Sequence, residues 1–414
     1  MKFSILTLGC KTNQAESEDL SRELLSKGFR CVDLKDSPDI CVINTCTVTS
    51  KSDYQSRQLI RRALRTGAQV IVTGCYVNSS IESLKTEFSD KCLFFKNEEK
   101  PNIINMLNIK TSSDNLSHFY SKSRPVVKIQ DGCNKRCSYC IIPSVRGPSR
   151  SKPSEDVIRE IKAIEDSGYR EVVLTGINLG SYGRDLYPPS GLDDLIERII
   201  SETKRIRIRV SSLGIKEITD KLIDLIKTGR VCRHLHLSLQ SGDNRILRLM
   251  NRNYRSEDFI ALVNNLKLNI KDINIGADII VGFPGEGDIE FKNTLKTLKE
   301  AMIGYIHIFP YSRRPGTPAS NMPEQVESKT KELRLKLLKD LDRELREAFS
   351  LSQINTEKEI VVENIQDGLI KGKTDNYLDV YLIDERSTKK GEILRVFISE
   401  RTDRGLKGEP LKQA

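Results

Sequence analysis

The run Asp131-Gly132-Cys133-Asn134-Lys135-Arg136-Cys137-Ser138-Tyr139-Cys140 brings three cysteines, Cys133, Cys137 and Cys140, into one loop-length segment. Such a segment needs a framework that presents its thiols together, so it constrains the fold more than any other stretch. It supplies three thiolates, whereas a structural zinc site closes a tetrahedron with four ligands. Three thiolates around a four-iron cluster leave one iron open to something else. Zinc at the triplet is the competing reading.

How the rest of the ten cysteines are read depends on compartment. No run of about 18 apolar residues occurs. The segment from Met1 to Cys10 is too soon interrupted by Lys11-Thr12-Asn13-Gln14 to act as a secretion signal. The expectation is a cytoplasmic protein with no membrane association, in which cysteines serve as thiolates or metal ligands and not as disulfides. A chain of 414 residues can bury two or three separate cores. Its 67 basic residues exceed its 57 acidic ones, a net charge of +10, which favours a polyanionic partner without identifying it.

Residues 1–118 alternate strand-length apolar runs (Phe3 to Leu8, Ile40 to Asn44, Gln69 to Thr73) with helical patterning (Ala15 to Lys27, Ser52 to Arg65), which predicts a parallel sheet flanked by helices. Cys10, Cys46 and Cys75 each follow directly after one of these strands. Ligand sites in an open parallel sheet form outside the carboxyl ends of its strands, so three distant cysteines would converge there. Cys31, Cys41, Cys92 and Cys232 lack that placement, and Cys41 reads as a small core residue. Arg57, Arg61 and Arg65 recur at steps of four, a stripe that suits phosphate contact or a solvated face equally well.

From residue 119 to 354 a strand-then-helix pattern repeats. Strands are expected at Val126 to Ile129, Glu171 to Thr175, Arg205 to Val210, His234 to Leu239, Ile275 to Val281 and Tyr305 to Phe309. His234 and His236 alternate on one strand and face one side, as core or barrel-lining histidines in the first instance and as a metal pair in the second. A long helix from Glu324 to Gln353 carries an apolar face of Leu337, Leu341, Leu345 and Phe349. Residues 355–414 turn to short strands, a small β-barrel in which Lys371, Lys373, Lys389, Lys390 and Arg395 would meet phosphate or solvent.

The cysteine triplet resembles the signature of radical S-adenosylmethionine (SAM) enzymes. Thr7-Leu8-Gly9-Cys10-Lys11-Thr12-Asn13, Asn44-Thr45-Cys46-Thr47-Val48-Thr49 and Val72-Thr73-Gly74-Cys75 are similar to the auxiliary-cluster segments of the methylthiotransferases within them. Ser238-Leu239-Gln240-Ser241-Gly242 and Phe309-Pro310-Tyr311-Ser312-Arg313-Arg314-Pro315-Gly316-Thr317-Pro318 also look like that family. The resemblance spans nearly the whole chain. It implies an α/β protein with an N-terminal parallel-sheet domain, a central partial (β/α)6 radical SAM barrel and a C-terminal RNA-binding β-barrel of the TRAM kind.

It further implies two 4Fe-4S clusters, one on Cys133, Cys137 and Cys140 and one on Cys10, Cys46 and Cys75, with SAM as cosubstrate. By resemblance, SAM contacts fall on Gly176, Asn178, Arg209, Ser211, Ser212, Gly282 and Gly285, at the ends of barrel strands. No catalytic residue is assigned beyond the cluster ligands. The implied reaction cleaves SAM to a 5'-deoxyadenosyl radical and places a methylthio group on an unreactive carbon. The N-terminal motifs look most like the branch that modifies carbon 2 of N6-threonylcarbamoyladenosine in the tRNA anticodon stem-loop. An electron donor and a sulfur source are implied partners. N6-isopentenyladenosine, an aspartate of a ribosomal protein, and a non-catalytic iron-sulfur RNA-binding role are the alternatives. Pro148 within Arg146-Gly147-Pro148-Ser149-Arg150, and Gly214-Ile215 after Ser211-Ser212, depart from the family pattern.

Overall fold

The structure, a computed structural model, describes residues 1–107, 120, 122–383 and 388–411. The chain divides into two compact units. One holds Met1–Ser121, Asp131–Arg150 and Ser312–Ser320, and the other holds Lys122–Gln130, Ser151–Tyr311 and Asn321–Ala414. Three successive domains were expected. Instead the cysteine segment 131–150 groups with the N-terminal sheet, and the C-terminal barrel groups with the central strands. The expected boundary at 118 lies outside the described residues.

The first unit is built on five parallel strands in the order Arg30–Cys31, Lys2–Thr7, Ile40–Thr45, Gln69–Gly74, Cys92–Phe95. The three inner strands match the sequence reading to within a residue or so. The outer two, of two and four residues, are too short for a pattern to announce them. Ile40–Thr45 is buried at every position, as expected of a strand covered on both faces. Its Cys41 is a core residue. The strand order reverses between Lys2–Thr7 and Ile40–Thr45, which makes the carboxyl ends of those two strands the switch point of the sheet. Helices Lys11–Ser26, Ser50–Leu64 and Cys75–Phe88, the last broken at Ser80, begin just after the three cysteine-bearing strand ends. Ser50–Leu64 opens on a reciprocal cap in which the Ser52 N–H donates to Thr49 Oγ1 at 3.1 Å.

The second unit carries six parallel barrel strands. Val126–Lys128, Glu171–Thr175 and Arg207–Val210 form one sheet, and His234–Gln240, Asn274–Val281 and Tyr305–Pro310 form the next. Bridges Ile208–Val231 and Leu213–Leu237 link the two into one curved series. Helix Ser328–Leu351 packs on the last strand through Arg334, Leu338 and Leu341, with Leu345 and Phe349 half-buried. Leu337, expected on that face, is exposed, because steps of strictly four drift off the buried stripe of a 3.6-residue helix. Residues 357–410 close a five-stranded barrel around Ile360, Val362, Ile370, Val380, Leu382, Leu394, Val396, Ile398 and Leu406.

One buried ionic hub ties the β-barrel to the central strands. Glu171 accepts from Arg207 Nε at 2.8 Å and Arg209 Nε at 2.7 Å, and Arg209 goes on to donate to the carbonyls of Asp375 (2.9 Å) and Thr374 (3.0 Å). Burial would raise the Glu171 carboxyl, but Arg209, Arg207 and Arg124 outweigh it and hold the group well below the carboxylate range. Removing one partner of such a set leaves buried charge uncompensated. Glu171→Gln should therefore cost about 3–5 kcal/mol, read as a lower denaturation midpoint. Because the folded pKa is depressed, this stabilisation is complete above the unfolded value of about 4.3 and is lost as pH falls toward the folded one. Wild-type and Glu171→Gln stabilities should therefore converge in acid.

Candidate functional site

In the first unit the cysteines meet at the switch point because polar side chains cross-link the strand ends. The Asn13 amide donates to Leu8 O (2.8 Å) and Thr45 O (3.0 Å), joining the segments before Cys10 and Cys46. Thr45 Oγ1 donates to Thr73 O at 2.6 Å, joining those before Cys46 and Cys75. Two glycines permit this closeness. A Cβ on Gly9 would lie 3.1 Å from Cys46 Sγ, and one on Gly74 would lie 2.4 Å from Thr45 O; both adopt φ near +100°. Cys10 precedes the first turn of Lys11–Ser26, and Cys75 begins its own helix, so both side chains sit at helix N-termini.

Burial pushes the Cys46 and Cys75 thiols up, and at Cys75 the Arg146 guanidinium works against it. Such buried thiols are poor free nucleophiles. They suit a site in which a metal takes the place of the protons. Cys10, Cys46 and Cys75 are in no disulfide.

Arg146 is the residue that sequence reading missed. Its side chain is fully buried, and its Nε donates to Cys75 Sγ at 3.3 Å. Nη1 donates to Glu16 (2.8 Å) and Asp131 (2.9 Å), and Nη2 to the Asn13 side-chain oxygen. In the sequence it belongs to a basic run of the kind normally found in solvent. Asp131 stands two residues before Cys133, so Arg146 links Cys75 to the segment carrying the other triplet.

That segment is a tight loop. Gly132 has φ +69°, and a Cβ there would lie 1.9 Å from the Pro148 carbonyl. Pro148, unusual in sequence, thus helps close the loop. Cys133 N–H donates to Gly147 O (3.1 Å), Lys135 N–H to Cys133 Sγ (3.4 Å) and Cys140 N–H to Cys137 O (3.1 Å). The three cysteines are half-buried, as ligands that share their metal with a small molecule need to be.

In the second unit the expected SAM contacts separate into two groups. Gly176 and Asn178 follow the strand Glu171–Thr175, in a turn held by Gln130, which accepts from Asn178 N–H at 2.8 Å. Ser211 and Ser212 follow Arg207–Val210, and Ser212 is exposed. These four stand at carboxyl strand ends. Arg209 does not belong with them, since its guanidinium is spent on Glu171 and the backbone of the C-terminal barrel. Gly282 and Gly285 make close contacts within the chain. Gly282 N–H donates to Glu286 Oε1 (2.8 Å) and its open side is filled by Lys331, whose Cγ would be 2.4 Å from an added Cβ. Gly285 N–H donates to Glu324 O (2.9 Å). The second departure, Gly214-Ile215, forms a turn in which Gly214 N–H donates to Glu217 Oε2 at 2.7 Å.

His234 and His236 share the Tyr305 hydroxyl, at 2.8 and 2.9 Å, as bonded core residues and not a metal pair. Several basic candidates are paired with neighbouring groups: Arg57 with Tyr76, Arg61 with Glu87, Lys371 and Lys373 with Asp379, and Arg395 with Glu357. Among the described residues, no helix is long and apolar enough to cross a membrane.

Residues 127–298 match the family described as the radical SAM superfamily, and residues 2–95 match uncharacterized protein family UPF0004. The threonylcarbamoyladenosine tRNA methylthiotransferase MtaB of Bacillus subtilis is 36% identical, over 90% of this chain and 88% of its own length. The chain belongs to the radical SAM methylthiotransferases. A tRNA-2-methylthio-N(6)-dimethylallyladenosine synthase of Clostridium botulinum is 30% identical over 99% of this chain and 97% of its own. The solved radical SAM methyltransferase TsrM of Kitasatospora setae shares the fold, with a TM-score of 0.58 over 77% of each chain at 14% identity. As a member of the methylthiotransferases the protein is an enzyme that uses SAM and a 4Fe-4S cluster.

The Arg146 contact gives a measurable expectation. In a chain whose Cys133, Cys137 and Cys140 are alanine, Arg146→Met should reduce the iron retained by Cys10, Cys46 and Cys75 after anaerobic reconstitution. Arg146→Lys, which keeps the charge, should retain more. Iron per chain and visible absorption measure both.

Proposed function

We propose that this enzyme methylthiolates carbon 2 of N6-threonylcarbamoyladenosine in the anticodon stem-loop of tRNA, with a second 4Fe-4S cluster on Cys10, Cys46 and Cys75. The observation that carries the reading is the convergence of those three cysteines at the switch point of a parallel sheet, in a chain that also holds the Cys133, Cys137 and Cys140 loop. Two sets of three thiolates fit two clusters, each with an iron left open. The substrate is drawn from the relatives, of which those named for threonylcarbamoyladenosine are 32–36% identical.

When bound, the clusters and SAM supply electron delivery, hydrogen abstraction and the methylthio group. The chain's own residues ligate and orient. Asn13 and Thr45 hold the three strand ends in register, so the Cys10, Cys46 and Cys75 thiols have fixed directions. Arg146 offsets negative charge at Cys75. Asn178, Ser211 and Ser212 offer polar groups at barrel strand ends for the amino acid or ribose portions of SAM. An anticodon loop suits the reaction because its bases are single-stranded and can be turned out into an enzyme.

Nucleoside mass spectrometry of total tRNA tests this in cells with the gene, without it, and with a Cys137→Ala copy. Loss of the 2-methylthio-N6-threonylcarbamoyl nucleoside on deletion, unrestored by Cys137→Ala, is expected. Loss of the isopentenyl counterpart instead would transfer the assignment to that substrate. An unchanged profile would direct attention to the ribosomal protein or to a non-catalytic role.

A further inference from the structure

The second unit carries a polar side-chain cluster on adjacent strands of its second sheet. His236, Asp278 and His307 stand on three adjacent strands, with Gly276 opposite Tyr305 and Asp278 opposite His307 in register. His236 Nε2 lies 2.8 Å from Asp278 Oδ1, and His307 Nδ1 lies 3.7 Å from the same oxygen. The two imidazole centroids lie 4.4 Å apart, with the rings tilted by 36°.

Below them the orientation is fixed. His236 Nδ1 meets the Tyr305 hydroxyl, that hydroxyl meets His234 Nε2, and the His234 ring stacks on Tyr377 at 4.4 Å. Burial would raise the Asp278 carboxyl, but hydrogen bonds from His236 and His307 bring it down to about 2, so it is ionised at neutral pH. The cluster is graded in exposure: the His236 side chain is 6% exposed, Asp278 19% and His307 48%. A locked, charged base thus rises to an open edge, the arrangement of a recognition site and not of a closed core.

We propose that Asp278 and His307 form the subsite that reads the acidic, hydrogen-bonding substituent on the substrate adenosine. This rests on the tRNA reading above and deepens it. A threonylcarbamoyl group presents ureido N–H and hydroxyl donors beside a carboxylate. The ionised Asp278 takes the donors, and an N–H of His307 donates to the carboxylate. The relay His236–Tyr305–His234 keeps the pair from turning away. An isopentenyl substituent is a hydrocarbon that satisfies neither, so it would strip water from Asp278 and His307 without giving them a new partner in return.

The test uses the full chain with its clusters reconstituted without oxygen. Its affinity is measured for anticodon stem-loops that differ only at the target adenosine: threonylcarbamoylated, isopentenylated or unmodified. Wild-type protein should prefer the threonylcarbamoyl RNA by about tenfold or more. His307→Gln and Asp278→Asn should lose that preference while keeping the affinity for unmodified RNA. Should Asp278→Asn not fold, the half-exposed His307 carries the test. Preference retained in His307→Gln would overturn the assignment. Wild-type protein indifferent to the modification would overturn the substrate reading and this inference with it. Because the three ligand atoms lie within 4.8 Å of one another, Mn²⁺ titration provides a further check. One ion per chain, lost in Asp278→Asn, would overturn the subsite in favour of a cation site.

Discussion

A guanidinium out of solvent is costly, and Arg146 is stable where it is only because every face of it is occupied. Glu16 and Asp131 supply charge, Asn13 an amide oxygen and Cys75 a sulfur. Those four partners lie in three parts of the first unit: Asn13 and Glu16 on the first helix, Asp131 just before Cys133, and Cys75 at the start of the third helix. Remove the guanidinium and two carboxylates face one another across a buried thiol. The geometry of the cysteines therefore depends on one ion as much as on the sheet that carries them.

The second unit solves a comparable problem at its own centre. Glu171 compensates Arg207 and Arg209, and Arg209 then satisfies two carbonyls of the C-terminal barrel. Such sets contribute little net stability over a well-packed apolar core, but they are specific, since only one docking geometry satisfies all the donors. The C-terminal barrel is thereby fixed to the central strands.

Much of this was legible in the chain. The barrel strands were legible from their β-branched and apolar residues, and their ends fell within about two residues of the observed ones. The cysteines were legible because each interrupts a pattern at the same point, just past a strand. What could not be read were the partners of buried charge. Arg209 sits at a strand position that periodicity marks as inward, but nothing in the sequence reveals that a carboxylate 38 residues away claims it. Gly282 and Gly285 had the same weakness. A glycine shows that something approaches the backbone, but the sequence does not say that it is Lys331 and the Glu324 segment. Arg146 looked like surface because its neighbours in sequence are Gly147, Pro148 and Ser149.

The two cysteine sets differ in how much of the chain must be in place before they exist. Cys133, Cys137 and Cys140 share a single loop whose closure is local. Cys10, Cys46 and Cys75 come together only once three strands have paired across the switch point, so the entropy of closing long loops has to be met first. The first set can therefore take its shape as soon as its own segment has emerged and turned. The second is a reporter of completed folding, and a chain whose sheet is misregistered would keep the local triplet and lose the converged one.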